Sequence, residues 1–243
     1  MDLISEDKLK HLAGLHGFNV IYLEKDYFLT LMLFLIRDLK GIYFKGGTAL
    51  NKIFLNHKRL SEDLDFTAGA PIAEIRHRLE KILEENKNIF LKIETDKTTS
   101  EFVRYKVFYK SYFHKEAFVI VDINKRASII LKTEMHGVPN FYGLKFEIGT
   151  LALDEIIAEK FRAAVMRNQP RDYFDLYFIL REHKVSMELV KRKLKEAGEK
   201  FDAERIFGNA GKIYSRWEKD LSGLTNEKLD FVSCIKFLRG RIK

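Results

Sequence analysis

The sequence predicts an α+β fold, in which an α/β part built on a mixed sheet is followed by an all-helical part. Two patterns carry the prediction. Between residues 42 and 147 short apolar or alternating runs recur, separated by glycine and Asn-Lys turns, as strands do. After Gly149 the apolar residues take up helical spacing and keep it to the end. Length agrees: 243 residues suffice for one large domain or two small ones, with a core that needs no staples. The boundary falls near 150, dividing the chain into an α/β core, 1–150, and a helical part, 151–243.

Each element has its reason. Residues 26–39 are densely apolar over a helical length. Ile42, Tyr43 and Phe44 form a short strand that ends in the turn Gly46-Gly47, and Thr48 is a fair N-cap for a short helix over 49–55. Asp63-Leu64-Asp65-Phe66 alternates as a half-buried strand does. Ile75, Leu79, Ile82 and Leu83 space a helix over 72–86, and 89–95, 101–113, 116–124, 127–134 and 143–147 are candidate strands. Helices are expected over 153–167, 171–182, 187–197, 202–219 and 227–238.

Composition narrows the function classes. Hydrophobic residues make up 46% and charged residues 32%, an ordinary globular balance that excludes a disordered chain. The single cysteine, Cys234, excludes an intrachain disulfide and a cysteine-clustered zinc site, and it fits a reducing, cytoplasmic setting. The amino terminus has no basic region followed by an apolar stretch, so no secretory signal is expected. The most apolar run, 27–36, is too short to span a bilayer and reads as a buried helix. The net charge of +8 permits an anionic partner without demanding one.

Five features bear chemistry. Gly46-Gly47 between a strand and a helix lets backbone approach a phosphate closely, although a Gly-Gly turn is a plain turn more often. Asp63 and Asp65, two apart on a strand, share a face; such a pair suits a hard divalent cation and also describes an exposed strand. Asp122, within the apolar run Val119–Ile123, needs a metal, a cation or hydrogen bonds, unless it caps the following turn. Lys160 has Ile156, Ile157, Ala163 and Ala164 as helical neighbours, so it either snorkels or reaches an anion from the buried stripe. Asp172 and Asp175 share a helix face behind Pro170, where an Arg171–Asp175 ion pair is the plain alternative. A phosphate-holding turn, metal-binding carboxylates and a cation are the parts that phosphoryl or nucleotidyl transfer requires.

In this order the motifs resemble the AbiEii/AbiGii-type nucleotidyltransferase toxins, of the polymerase-β-like superfamily. The likeness rests on Lys45-Gly46-Gly47-Thr48-Ala49-Leu50, on Arg59 to Phe66, on Glu24 to Tyr27, on Ala158 to Ala163, and on Arg167 with Pro170 to Leu176; it covers roughly residues 20–180. The resemblance implies a polymerase-β-like core, a Mg²⁺-dependent (or Mn²⁺-dependent) reaction with a nucleoside triphosphate, tRNA or another RNA as acceptor, and a cognate antitoxin in an abortive-infection type toxin–antitoxin system. It implies nucleotide contacts by Gly46, Gly47, Thr48, Ser61 and Lys160. It also implies metal binding by Asp63, Asp65 and Asp122, and an essential carboxylate at Asp172 or Asp175. One departure is Thr48, where wider nucleotidyltransferases carry serine; the hydroxyl is kept. The alternatives are a silent scaffold that binds protein or RNA, and transfer to a protein or small-molecule hydroxyl.

Other features read more plainly. Arg104, Lys106 and Lys110 alternate with Tyr105, Val107 and Tyr109, either a solvated face over a core face or a basic wall for RNA. Lys191, Arg192, Lys193 and Lys195 suggest a solvated helix turn, with RNA contact as the sharper option. The seven histidines show no metal-ligand spacing.

Overall fold

The computed structural model describes residues 3–242, so Met1, Asp2 and Lys243 lie outside it. Two helices come first, α1 (Glu6–His16) and α2 (Val20–Ile36), capped by the Ser5 hydroxyl and the Asn19 side chain. α1 was not expected from the sequence, and its apolar content is low. β1 (Ile42–Lys45) runs into α3 (Gly46–Ala49), which continues as a π-helical turn (Leu50–Phe54). β2 (Asp63–Ala68), α4 (Ile72–Glu85), β3 (Phe90–Thr99), β4 (Phe102–Tyr109) and β5 (Ala117–Asn124) follow. β6 (Glu134–Gly137) and β7 (Glu147–Thr150) complete the sheet. The helical part comprises α5 (Leu153–Arg167), α6 (Pro170–Glu182), α7 (Met187–Glu196), α8 (Ala203–Phe207), α9 (Ala210–Leu221) and α10 (Phe231–Arg241).

The seven strands lie in the order β3-β4-β5-β2-β1-β7-β6. β2 pairs parallel with β5 and β1 pairs parallel with β7, while the other neighbours are antiparallel, so the sheet is mixed. β2 and β5 are central strands, and their inward residues Leu64, Phe66, Val119, Val121 and Ile123 are buried. One apolar cluster runs from the sheet (Phe44, Leu64, Phe66) into the helical part (Ile157, Phe161, Phe174). A smaller cluster joins Leu12 and Leu23 to Leu60 and Leu224.

Three expectations need correction. No strand forms over 127–133, because the backbone N–H groups of Ile130 and Leu131 donate to the buried Glu155 carboxylate at 2.9–3.2 Å rather than to a neighbouring strand. The last strand lies at 147–150 rather than 143–147, since Thr150 is the residue that pairs with Phe44. The helix expected over 202–219 breaks into α8 and α9 around Gly208-Asn209. Among the described residues no helix is long and apolar enough to cross a membrane.

Candidate active site

The site is built where β1 turns into α3. Gly46 has φ +77°, and a Cβ there would lie 2.4 Å from the Asp65 carboxylate. A side chain at Gly47 would lie 2.6 Å from the Arg59 guanidinium. Both positions exclude a side chain on space, and Gly46 also on conformation. No side chain caps the start of α3, which leaves its first N–H groups for an anion.

Thr48 is not the N-cap. It lies within α3, fully buried, and its hydroxyl donates to the Asp63 carbonyl, tying the helix to β2. The π turn has a visible correlate in Asn51. Its amide donates to Gly47 O (3.0 Å) and to Asp175 (2.9 Å), and its oxygen accepts from Arg59 N (3.1 Å). Such turns gather at functional sites.

Asp63 and Asp65 sit on one face of β2, with Leu64 and Phe66 buried on the other. Asp65 is in register with Asp122 on β5. Burial, then the neighbouring Asp63 and Asp122 carboxylates, push the Asp65 carboxyl up to about 7 against the pull of Lys45 and Arg167. That repulsion is what a divalent cation removes, so the pair fits one. Mg²⁺ is commonly held by one or two carboxylates plus substrate phosphates. Among the described residues no cluster of three or more acidic, His or Cys side chains is arranged for a metal. Within this row Asp122 is held by Arg104 with two bonds of 2.7 and 2.6 Å.

Behind the cleft lies a buried charge web. Lys160, 4% exposed, places its ammonium 3.1 Å from Asp172 and 2.8 Å from Asp175, both fully buried. It pairs rather than snorkels. Asp175 accepts two bonds from Arg59 (2.8 and 2.7 Å), and Asp172 accepts two from Arg167 (2.8 Å each). Burial alone would raise the Asp175 carboxyl, but Arg59 and Lys160 outweigh it and hold it at about 2. Asp172 is lowered for the same reason, against burial, by Lys160 and Arg167. Two carboxylates face three cations, which leaves this web one positive charge in excess. Arg171 does not pair with Asp175; it bonds Glu62.

A cleft of about 160 Å³ brings Gly46, Gly47, Asp65 and Lys160 together, with Lys45, Arg162 and Arg167 on its walls. Asp63 stands beside it on the same strand face. Asp172 and Asp175 lie behind the wall rather than in the cleft. Ser61 is buried and its hydroxyl accepts from Arg59 (3.3 Å), away from the cleft. A larger hollow of about 410 Å³ lies elsewhere, against Trp217 and Leu229.

Sequence reasoning assigned no role to Arg59, Asn51, Lys45 or Glu159. Lys45 bonds Glu159 at 2.9 Å, and Lys193 lies 3.5 Å from the same carboxylate. Lys193 is fully buried, not solvated, with Glu155 at 2.6 Å. Of the four residues given no role, Lys45, Arg59 and Glu159 had a signal, their place inside the quoted motifs, and Asn51 had none.

The fold is shared with known proteins. The chain is similar in structure to the nucleotidyltransferase toxin MenT4 of Mycobacterium tuberculosis (TM-score 0.74, 19% identity, covering 99% of this chain and 89% of that one). It is similar also to JHP933 from Helicobacter pylori (TM-score 0.60, 21% identity, covering 90% of each). No curated protein matches it. The model of the AbiEii nucleotidyl transferase toxins of type IV toxin–antitoxin systems matches residues 34–231, most of the chain. The chain therefore belongs to the AbiEii family of toxins and is a nucleotidyltransferase.

Proposed function

We propose that this nucleotidyltransferase transfers a nucleotide from a nucleoside triphosphate to an RNA hydroxyl, with tRNA as the acceptor, and that a cognate antitoxin restrains it. The observation that carries the reading is the meeting of the Gly46-Gly47 turn, Asp65 and Lys160 in one cleft. Asp63 and Asp65 would hold Mg²⁺ or Mn²⁺, which supplies charge neutralisation at the phosphates and the acceptor oxygen.

The chain's own part is binding and alignment. Backbone N–H groups at Gly46 and Gly47 receive the phosphates, and Lys160, Arg162 and Arg167 offset their charge. The acceptor oxygen forms a bond to the α-phosphorus, the bond to the β-phosphate oxygen breaks, and pyrophosphate leaves; the hydroxyl proton passes to water. Asp172 and Asp175 act by fixing Lys160 and Arg59, which makes them positioning residues. Asp122 would join the metal only if Arg104 released it.

The test is incubation of the protein with Mg²⁺, each labelled nucleoside triphosphate in turn, and total tRNA. Label on tRNA from one nucleotide is expected, and none with the Asp63→Ala, Asp65→Ala double variant. Label on protein alone would overturn the RNA acceptor, and full activity in the double variant would overturn the site.

A further inference from the structure

The sheet face that carries Asp63 and Asp65 does not end at them. In parallel register Asp63 lies beside Ile120 and Asp65 beside Asp122. On the next strand Lys106 faces Ile120, Arg104 faces Asp122, and Phe108 faces Phe118, with Phe102 opposite Asn124. Neighbours in register project to the same side, so one surface runs unbroken from the aspartates across β5 and β4.

That surface holds aromatic side chains that stand outside the apolar core. Alternate residues of β4, Val103, Tyr105, Val107 and Tyr109, form the buried side. Phe102, Phe108 and Phe118 point the other way, stay partly exposed, and belong to neither apolar cluster of the described residues. The rings of Phe108 and Phe118 lie 5.4 Å apart. Each phenylalanine has a cation over it: Arg126 at 5.2 Å and Arg104 at 5.9 Å from Phe102, Lys92 at 5.3 Å from Phe108, and Lys106 at 5.5 Å from Phe118. Lys92, Arg104 and Lys106 also touch Glu94, Asp122 and Asp96, so the cations are held in place at the rings.

Flat rings interleaved with cations are how proteins hold single-stranded nucleic acid, bases on the rings and phosphates on the cations. We propose that the β4–β5 face is the acceptor site for a single-stranded RNA end, with bases stacking on Phe108 and Phe118 and phosphates meeting Arg104, Lys106 and Arg126. Continuity with Asp63 and Asp65 fixes the direction: the end that reaches β2 presents its terminal hydroxyl to the carboxylates. This inference rests on RNA being the acceptor, and it adds where the acceptor lies.

Binding separates the two claims. Anisotropy of a fluorescein-labelled single-stranded oligouridylate, without nucleotide, is measured for the full chain and its variants. Phe108→Ala and Phe118→Ala should each weaken binding about tenfold, as loss of one stacked base does. Lys106→Gln should weaken it less and flatten its salt dependence. Nucleoside triphosphate affinity, read by calorimetry, should not change, and Tyr214→Ala, exposed on α9 of the helical part, should bind normally. A Phe108→Ala, Phe118→Ala double variant that binds the oligonucleotide like the parent overturns the inference, as does a parent that binds none. If ring-dependent binding is seen but no RNA is labelled, the face stands only as an RNA-binding surface, and the transfer reading falls together with the acceptor role built on it. Labelling of RNA by the double variant with an unchanged KM leaves the transfer reading and removes this one.

Discussion

Asp172 and Asp175 look equivalent in the sequence, three apart on a helix, yet their surroundings separate them. Asp175 neutralises Arg59 and Lys160, both buried; Asp172 shares Lys160 and otherwise meets Arg167, whose side chain is 52% exposed. Removing one partner of a buried pair costs about 3–5 kcal/mol, because the other charge is left uncompensated. Asp175→Asn is therefore expected to cost that much in urea unfolding. Asp172→Asn should cost about 1–3 kcal/mol, the range for a lost charged hydrogen bond. His57 supplies a pH dependence. It is buried with its Nε2 unpartnered, and burial, then Lys52, lower it to about 4. It is neutral when folded and takes up a proton more readily when unfolded. Its contribution is therefore present above about pH 6.5 and is lost as pH falls toward 4, by about 3 kcal/mol over the window. His57→Asn suits the positive φ of 55° at this position and should flatten the wild-type fall in melting temperature between pH 7 and pH 4.5. What was legible at this scale was the Asp63, Asp65 and Gly46-Gly47 set, because strand alternation and a turn have local signatures. Arg59 was not, since its carboxylate lies 116 residues away and a buried arginine has no periodicity.

Among elements, the strand–turn–helix and the order of most later elements followed from pattern alone. Failures came where a side chain took over a backbone bond. Glu155 satisfies the 130–131 backbone, so a β-rich stretch stays irregular, and Asn51 takes a helix carbonyl where the π turn forms. α7 is the other instance. Its basic run reads as solvated, but helical rotation turns Lys193 inward onto Glu155 and the Ser128 carbonyl. Burial alone would raise the Glu159 carboxyl, but Lys45 and Lys193 outweigh it and hold it below the usual carboxylate range, so both lysines meet a charged partner. Lys193→Met should destabilise the protein by about 3 kcal/mol or more. A Lys193→Met, Glu155→Gln double variant should recover part of that loss in the same melts, whereas additive losses would show that the pair is not coupled.

At the scale of the molecule, the division near residue 150 separates two kinds of secondary structure but not two cores. Phe44 and Leu64 share one apolar cluster with Phe161 and Phe174, and Lys58 and Leu60 bond the 224–227 segment. A fragment of residues 1–150 is expected to lack a cooperative thermal transition in circular dichroism, because it exposes half of that cluster and strips Arg59 and Lys45 of their counter-ions. A sharp transition in the fragment would mark it as an independent unit. The web around Asp175 has a further consequence for the chain during its synthesis. Arg59 and Lys160 precede the carboxylate of Asp175, and α6 supplies it only after the Gly46-Gly47 turn, the sheet and α5 have been made. A product that stops before Asp175 carries every glycine and aspartate of the cleft, yet its Arg59 has no counter-ion and its Lys160 keeps only Asp172. The charge web behind the cleft is thus completed only when about three-quarters of the polypeptide has been translated.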